Sequence, residues 1–395
     1  MSEESDDVDE ILDELRDIVD DEPDLESTPP KEAHDLWLES HDGAYSTIQS
    51  YELRLRPFLE WLGKEGISDL SELTTRDVKK FEAHRRSQDL DKQSLNNQFG
   101  TIRLWLAYCH ELNAVSEDVV KALDVPTLSK EDRVNTEKLI TDRAEEILEN
   151  LDRYRYASRE HVLLLLLWRT TARLGTIHSL DLQDFYHTEE DQQRLREGLE
   201  NEGFASHIVD GILEDVELPL LIPHHRPESG TTLKNDEGGE RVINLADWVG
   251  DVLEDYIRVN RPDVRDEYGR EPLLASKKGS GRLSKSAIRN RIYFITQPCE
   301  FGGPCPHDKD PETCEAREHG RGSLCPSSRS PHRIRTGSIT NHRDRGWPVS
   351  ELADRANTSE DLIEGVYDQP EQLIRGSVRR EYLDKLDENK HNDDS

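Results

Sequence analysis

Seven consecutive apolar residues, VLLLLLW at 162–168, restrict the folds that are open to this chain. The run is much shorter than the ~20 residues that a membrane-spanning helix requires, and charged residues flank it on both sides. A helix that is apolar on nearly all sides has to be buried. We therefore predict that this segment is a helix in the core of a domain.

The whole chain of 395 residues is long enough for two domains with cores of their own. Ile48, Tyr51, Leu55 and Phe58 recur at helical spacing and begin a series of such segments, which predicts a small helical domain. Further along, LPLLIPHHR and ERVINL predict two strands that flank a polar turn among helices. The predicted fold is mainly α with a small antiparallel sheet. The predicted boundaries are an acidic disordered arm at 1–32 with a short helical pattern, a helical domain at 33–124, a linker at 125–136, a second domain at 137–380 and an acidic tail at 381–395.

Acidic residues outnumber basic ones by 84 to 51, which gives a formal net charge of −33. Taken alone, this balance argues against a nucleic-acid partner, because such proteins are normally basic. It is typical of a salt-loaded cytoplasm, where molar salt shortens the Debye length to about 3 Å and acidic faces barely repel DNA. An ordinary acidic cytosolic protein is the alternative. In a salt-loaded cytoplasm, local basic residues decide the binding of DNA. The candidates are Lys79, Lys80, Arg85, Arg86, Lys277, Lys278, Arg289 and Arg291.

The chain has no apolar run of membrane-spanning length and no secretory signal pattern, which predicts a cytoplasmic protein without membrane contact. In that compartment, cysteines more often bind metal or remain free than form disulfides. Cys109 lies on an apolar helix face and is predicted to belong to a core. The other four cysteines are Cys299, Cys305, Cys314 and Cys325.

These four cysteines lie in a Gly- and Pro-rich segment at 298–326 with the spacing C-x5-C-x8-C-x10-C. Four soft ligands in such a loop predict a closed, structural zinc site, and His307 and His319 are substitute ligands. Two disulfides or four free thiols are the alternatives.

Six side chains in the second domain have the chemistry to bind and break a phosphodiester. An arginine donates two parallel hydrogen bonds to phosphate oxygens and stays charged. A lysine protonates a leaving oxygen, a neutral histidine accepts a proton, and a tyrosine attacks phosphorus. The six are Arg173, Lys234, His332, Arg335, Thr358 and Tyr367.

The motifs around these residues resemble those of the tyrosine recombinase (phage integrase) family in order and spacing. They are TTARLGTIHSLDLQDF at 170–185, PHRIRTGSIT at 331–340, and Tyr367, which follows Arg335 by 32 residues. The resemblance covers about residues 40–370, and the cysteine-rich segment resembles an insertion of haloarchaeal integrase-like proteins. It implies a SAM-like core-binding domain, an α+β catalytic domain, and no metal for catalysis.

The resemblance implies that Arg173 and Arg335 hold the phosphate oxygens and that Lys234 protonates the leaving 5′ oxygen. His332 accepts the tyrosine proton or hydrogen-bonds the phosphate, and Tyr367 is the nucleophile. Each residue also has a plainer interpretation. Arg173 suits a surface ion pair, Lys234 a solvated turn, His332 a zinc ligand, and Tyr367 a structural position on a helix.

Two positions depart from the family pattern. Thr176 stands where a Glu usually supports the first arginine, and Thr358 stands where the family has His or Trp. The Thr358 hydroxyl still donates one hydrogen bond. A shift in register by one residue would make Asn357 the donor instead.

The implied function is a site-specific recombinase that cuts and rejoins double-stranded DNA through a 3′-phosphotyrosyl intermediate, working as a homotetramer. A catalytically weak or inactive DNA-binding regulator derived from an integrase is one alternative, which the two threonines favour. A type IB topoisomerase is another, because it uses the same chemistry as a monomer.

Overall fold

The computed structural model describes residues 25–41, 45–129, 132 and 137–367, without the side chains of 45, 46, 366 and 367. The helical pattern of the acidic arm and the acidic tail lie outside these ranges. The chain divides into two compact units, residues 1–135 and 136–395, and this division falls within the predicted linker. The finer domain boundaries stay predictions.

The first unit is helical and is built around aromatic side chains. Phe58 lies at its centre, with ring centroids 4.7 Å from Phe81 and 6.0 Å from Trp105. Cys109 is fully buried in the same core, as predicted, and burial raises its pKa to about 12. The helices are α1 (Pro30–Glu39), α2 (Tyr45–Glu65), α3 (Thr75–Arg86), α4 (Lys92–Glu111) and α5 (Glu117–Ala122).

The second unit combines helices with a small sheet, which confirms the predicted fold class. The strands β1 (Phe185–Tyr186), β2 (Leu220–Leu221) and β3 (Ile243–Asn244) are antiparallel and lie in that order. The helices are α6 (Thr141–Arg155), α7 (Arg159–Thr170), α8 (Leu174–Ser179), α9 (Glu189–Asn201), α10 (Ser206–Glu214), α11 (Asp247–Asp255), α12 (Lys285–Ile295), α13 (Pro331–Asp344), α14 (Val349–Ala356) and α15 (Glu360–Leu362). Single π-helical turns follow α11 at Tyr256–Asn260 and α15 at Ile363–Tyr367.

Helix α7 is the central helix of this unit. Residues 162–168 are completely buried, which confirms the prediction from the apolar run. Helices α6, α12 and α13 pack around α7. Gly337 allows α13 to pack closely against Leu139 and against Trp168 of α7. A Cβ atom at this position would lie 2.0 Å from the carbonyl oxygen of Leu139 and 3.0 Å from the Trp168 ring. The described residues include no helix long and apolar enough to cross a membrane, and the cytoplasmic location stays a prediction.

Helices α9 and α10 lie between β1 and β2 and were not predicted. Thr188 begins α9 with a capping box, in which its hydroxyl accepts a hydrogen bond from the amide of Asp191. Residues of α9 remain at least partly exposed, so no apolar periodicity marks the helix in the sequence.

Candidate active site

The two predicted catalytic arginines are held by carbonyl oxygens at the ends of helices. Thr171 is the C-cap of α7 and has the left-handed conformation, with φ of 56°, and Arg173 is the N-cap of α8. Arg335 is 2% exposed on α13 and donates a hydrogen bond to the Thr171 carbonyl oxygen at 2.5 Å. Arg173 donates to the carbonyl oxygens of Asn357 and of Ala356, the latter at 3.4 Å. These backbone contacts fix both guanidinium groups beside the turn that joins α7 to α8.

His332 lies one turn before Arg335 on α13, at the solvent-accessible edge of the site. Partial burial, followed by the positive charges of Arg335 and Arg173, lowers the pKa of His332. The imidazole is therefore mainly neutral near pH 7. The structure thus brings together three of the predicted residues from two distant segments of the chain.

Lys234 joins this cluster through the backbone of its turn. The carbonyl oxygen of Lys234 accepts a hydrogen bond from Nδ2 of Asn357 at 3.2 Å. Oδ1 of Asn357 accepts a second one from Nδ2 of Asn235 at 3.0 Å. The Lys234 side chain is exposed, and no carboxylate within the described ranges pairs with its ammonium group. The turn therefore carries an exposed lysine and is linked through Asn357 to Arg173.

Arg241 and Arg355 add two cations to the site to which the sequence prediction gave no role. Arg241 donates to the carbonyl oxygens of Arg355 at 2.8 Å and of Gly239 at 2.9 Å. Burial, together with the charges of Arg335, Arg173 and Arg355, lowers the pKa of Arg241 to about 10. A group of guanidinium charges in mutual repulsion favours the approach of an anion. In the sequence, Arg241 lies within ERVINL, the second of the two predicted strands.

Thr358 and Tyr367 follow α14 toward the end of the described chain. The amide of Thr358 donates to the carbonyl oxygen of Ala353 at 3.0 Å, and Thr358 directly follows Asn357, whose carbonyl oxygen contacts Arg173. Ile363 is fully buried against α13 and α14 and anchors the π-helical turn that ends at Tyr367. The Tyr367 side chain lies outside the described part of the structure.

A buried ion-pair network supports the segment that carries Arg173. Both oxygens of Asp184 accept hydrogen bonds from Arg226, at 2.6 and 3.0 Å, and Asp181 pairs with Arg282. Thr176, at the position of the family's glutamate, is 5% exposed. The partners of these aspartates are 42 to 101 residues away, so the network had no local signal in the sequence.

The four cysteines of the 298–326 segment line one cavity of about 530 Å³, together with His307. None of the four forms a disulfide in this structure. Burial raises the pKa of the Cys299 thiol. Among the described residues, however, no three His, Cys, Asp or Glu side chains form a group that could hold a metal ion, so the geometry does not support the zinc prediction. His319 lies away from this cavity and lines a different one.

Comparisons with known proteins identify the family. A family model described as the phage integrase N-terminal SAM-like domain matches residues 34–113. The N-terminal domain of a phage integrase/site-specific recombinase from Haloarcula marismortui is 33% identical over 26% of this chain and 99% of its own, with a TM-score of 0.25. The Tn1549 transposon integrase, in complex with transposon right end DNA, has a TM-score of 0.57 and 12% identity, over 89% of this chain and 99% of its own.

The λ integrase tetramer bound to a Holliday junction has a TM-score of 0.53 and 11% identity, over 90% of this chain and 82% of its own. The chain belongs to the phage integrase, or tyrosine recombinase, family. A search of curated proteins gives no significant match. The recognition made from the sequence motifs is therefore confirmed, and so is the SAM-like assignment of the N-terminal helices.

Several basic residues that the sequence suggested for DNA contact are paired with carboxylates in this structure. Lys79, Lys80, Arg86 and Arg291 each pair with a carboxylate. Across the described ranges, Lys277 and Lys278 have no such pair, and they line a cavity to which no acidic residue contributes.

Proposed function

We propose that this integrase cuts and rejoins double-stranded DNA through a 3′-phosphotyrosyl intermediate. The observation that carries the proposal is the convergence of Arg173, His332 and Arg335 with the Lys234 turn, from segments up to 162 residues apart. In a chain with a net charge of −33, a local cluster of cationic side chains indicates a site that binds an anion.

The roles follow from the positions of these groups. Arg173 and Arg335, whose guanidinium groups are fixed by backbone carbonyls, hold the non-bridging oxygens of the reacting phosphate. Neutral His332 accepts the proton of the attacking tyrosine or hydrogen-bonds the phosphate, and Lys234 protonates the leaving 5′ oxygen. Tyr367 attacks phosphorus and conserves the bond energy in the protein–DNA link.

The remaining parts of the proposal concern the Thr358 hydroxyl and the partners. Thr358 donates a hydrogen bond to a phosphate oxygen in the slot where the family has His or Trp.

We propose a homotetramer on two DNA duplexes, by analogy with the λ integrase tetramer on a Holliday junction. The chain's own cations carry the charge, so we assign no cofactor to the chemistry.

Zinc at the cysteine-rich segment is a separate proposal. Its support is that four thiols of suitable chemistry line one cavity without forming disulfides. The binding of a zinc ion would require these four thiols to move toward one another.

Covalent trapping tests the proposed function. A DNA site is first selected by the wild-type protein from random duplexes in molar KCl, and is then rebuilt with a nick that lets the 5′ product diffuse away. We expect the wild-type protein to form an adduct stable to denaturant and Tyr367→Phe to form none, because only the tyrosine supplies the nucleophile. Tyr154→Phe, at a tyrosine that is 68% exposed on α6, serves as the matched control and should behave as wild type.

Specific binding to the selected site without an adduct from the wild-type protein would contradict the recombinase and favour the DNA-binding regulator. An adduct from both wild type and Tyr367→Phe would overturn the assignment of the nucleophile. Relaxation of supercoiled plasmid by the monomer, without strand exchange, would identify a topoisomerase instead.

A further inference from the structure

Asn357 occupies a backbone position that few residues tolerate. It ends α14 in the left-handed conformation with φ of 48° and ψ of 64°, which glycine and asparagine adopt more readily than other residues. Its carbonyl oxygen accepts the hydrogen bond from Arg173. Glycine would satisfy the backbone equally well, so the conformation alone does not account for an asparagine side chain here.

The side chain of Asn357 reaches the turn that carries Lys234. Nδ2 donates to the Lys234 carbonyl oxygen at 3.2 Å, and Oδ1 accepts from Nδ2 of Asn235 at 3.0 Å. One residue thus contacts Arg173 through its backbone and the Lys234 turn through both atoms of its amide.

The Lys234 turn is tightly closed at this contact. A Cβ atom on Gly239 would lie 2.6 Å from the Lys234 carbonyl oxygen and 3.2 Å from Nδ2 of Asn357. Asn235 and Asp236 are both left-handed, with φ of 73° and 53°. A turn with this much unusual backbone depends on outside contacts to remain in one conformation, and Asn357 supplies two of them.

We propose that Asn357 is a positioning residue that sets the Lys234 turn relative to Arg173 and so aims the Lys234 ammonium group at the leaving 5′ oxygen. This inference rests on the proposed function. The side chain itself touches neither substrate nor reacting atoms. It acts through Lys234, and its loss therefore impairs the protonation of the leaving group more than the binding of DNA.

Two substitutions separate the side chain from the backbone. Asn357→Gly keeps the left-handed conformation and removes both side-chain hydrogen bonds. Asn357→Asp has nearly the same shape but places an acceptor where the Lys234 carbonyl oxygen needs a donor. Asn113→Gly is the matched control, because Asn113 also follows a helix with φ of 55° and lies in the other unit.

The test compares two nicked DNA substrates, one ordinary and one with sulfur in place of the leaving 5′ oxygen. A thiolate leaves without a proton, so a defect in general-acid catalysis disappears on the sulfur substrate. We expect Asn357→Gly and Asn357→Asp to form the covalent adduct on ordinary DNA about 10- to 100-fold more slowly than wild type. On the sulfur substrate we expect both rates within about threefold of wild type, as for Lys234→Ala. DNA affinity should be unchanged.

Equal slowing on both substrates would overturn the proposal, since Asn357 would then act on attack or on folding and not through Lys234. Wild-type rates for both variants would overturn it too. If Asn357→Gly fails to fold, as judged by its thermal midpoint, Asn357→Asp decides alone. Failure of the proposed function has a different signature, because the wild-type protein would then form no adduct on either substrate.

Discussion

His332 makes the proposed chemistry sensitive to acid. Partial burial, Arg335 and Arg173 place its folded-state pKa below the usual value of about 6.5. The neutral imidazole therefore predominates above pH 6.5 and is lost only as the pH falls through the lowered pKa. We expect the rate of adduct formation to be constant near neutral pH and to fall about tenfold for each pH unit below the lowered pKa. Rapid-quench measurements between pH 5 and 8 test this profile.

The matched control for this profile is His207→Gln, at an exposed position on α10, which should leave the profile unchanged. His332→Gln should be slower than wild type and should lack the acid limb, because glutamine has no proton to gain in this range. A rate that increases on acidification would show that the imidazolium is the active form and would contradict the role of neutral His332 as a proton acceptor.

The sequence could propose residues of the site wherever a charge had a fixed place in a motif, and the catalytic roles of these residues stay predictions. Arg173, His332 and Arg335 are brought together as their motifs required. Asn357 and Arg241 were harder to interpret, because their roles consist of hydrogen bonds to carbonyl oxygens more than a hundred residues away. Backbone acceptors are present at every residue, so sequence cannot indicate which one is used.

At the scale of elements, burial decided which parts of the fold could be predicted. Helix α7 was evident because each of its residues 162–168 is buried. Helix α9 was missed because none of its residues is buried, whereas α10 was missed although it buries Val209 and Leu213, which are only two buried positions in a helix of nine residues. Strands β1, β2 and β3 are two residues long each, so their pairing depends on the surrounding helices more than on any pattern of their own.

The 298–326 segment is the element to which the zinc proposal applies. If the four thiols bind zinc, the purified protein should contain about one zinc per chain, as measured by elemental mass spectrometry. Cys305→Ala and Cys314→Ala should each lower that content, whereas Cys109→Ala, in the core of the other unit, should not. Retention of four titratable thiols with negligible zinc would contradict the proposal and leave free thiols as the interpretation.

At the scale of the whole molecule, the net charge of −33 opposes both folding and DNA binding at low ionic strength. This net charge already counts every Lys and Arg, including Lys79 and Lys80, which pair with carboxylates on the surface. Exposed pairs of this kind contribute little to stability. The repulsion between acidic side chains must therefore be screened by salt in the solvent, since the Debye length falls from about 10 Å at 0.1 M salt to about 3 Å at 1 M.

We therefore expect the midpoint of thermal unfolding to rise between 0.1 and 2 M KCl, by about 2–4 °C for each kcal/mol of repulsion that screening removes. Differential scanning calorimetry of the full chain measures this rise. Most of it should occur below 1 M if screening is the cause, because the Debye length changes little beyond that concentration. Sucrose, which strengthens burial without screening charge, is the matched control and should give a smaller rise. A midpoint that is unchanged or falls between 0.1 and 1 M KCl would mean that the acidic surface is already balanced within the fold, and would favour an ordinary acidic protein over one adapted to a salt-loaded cytoplasm.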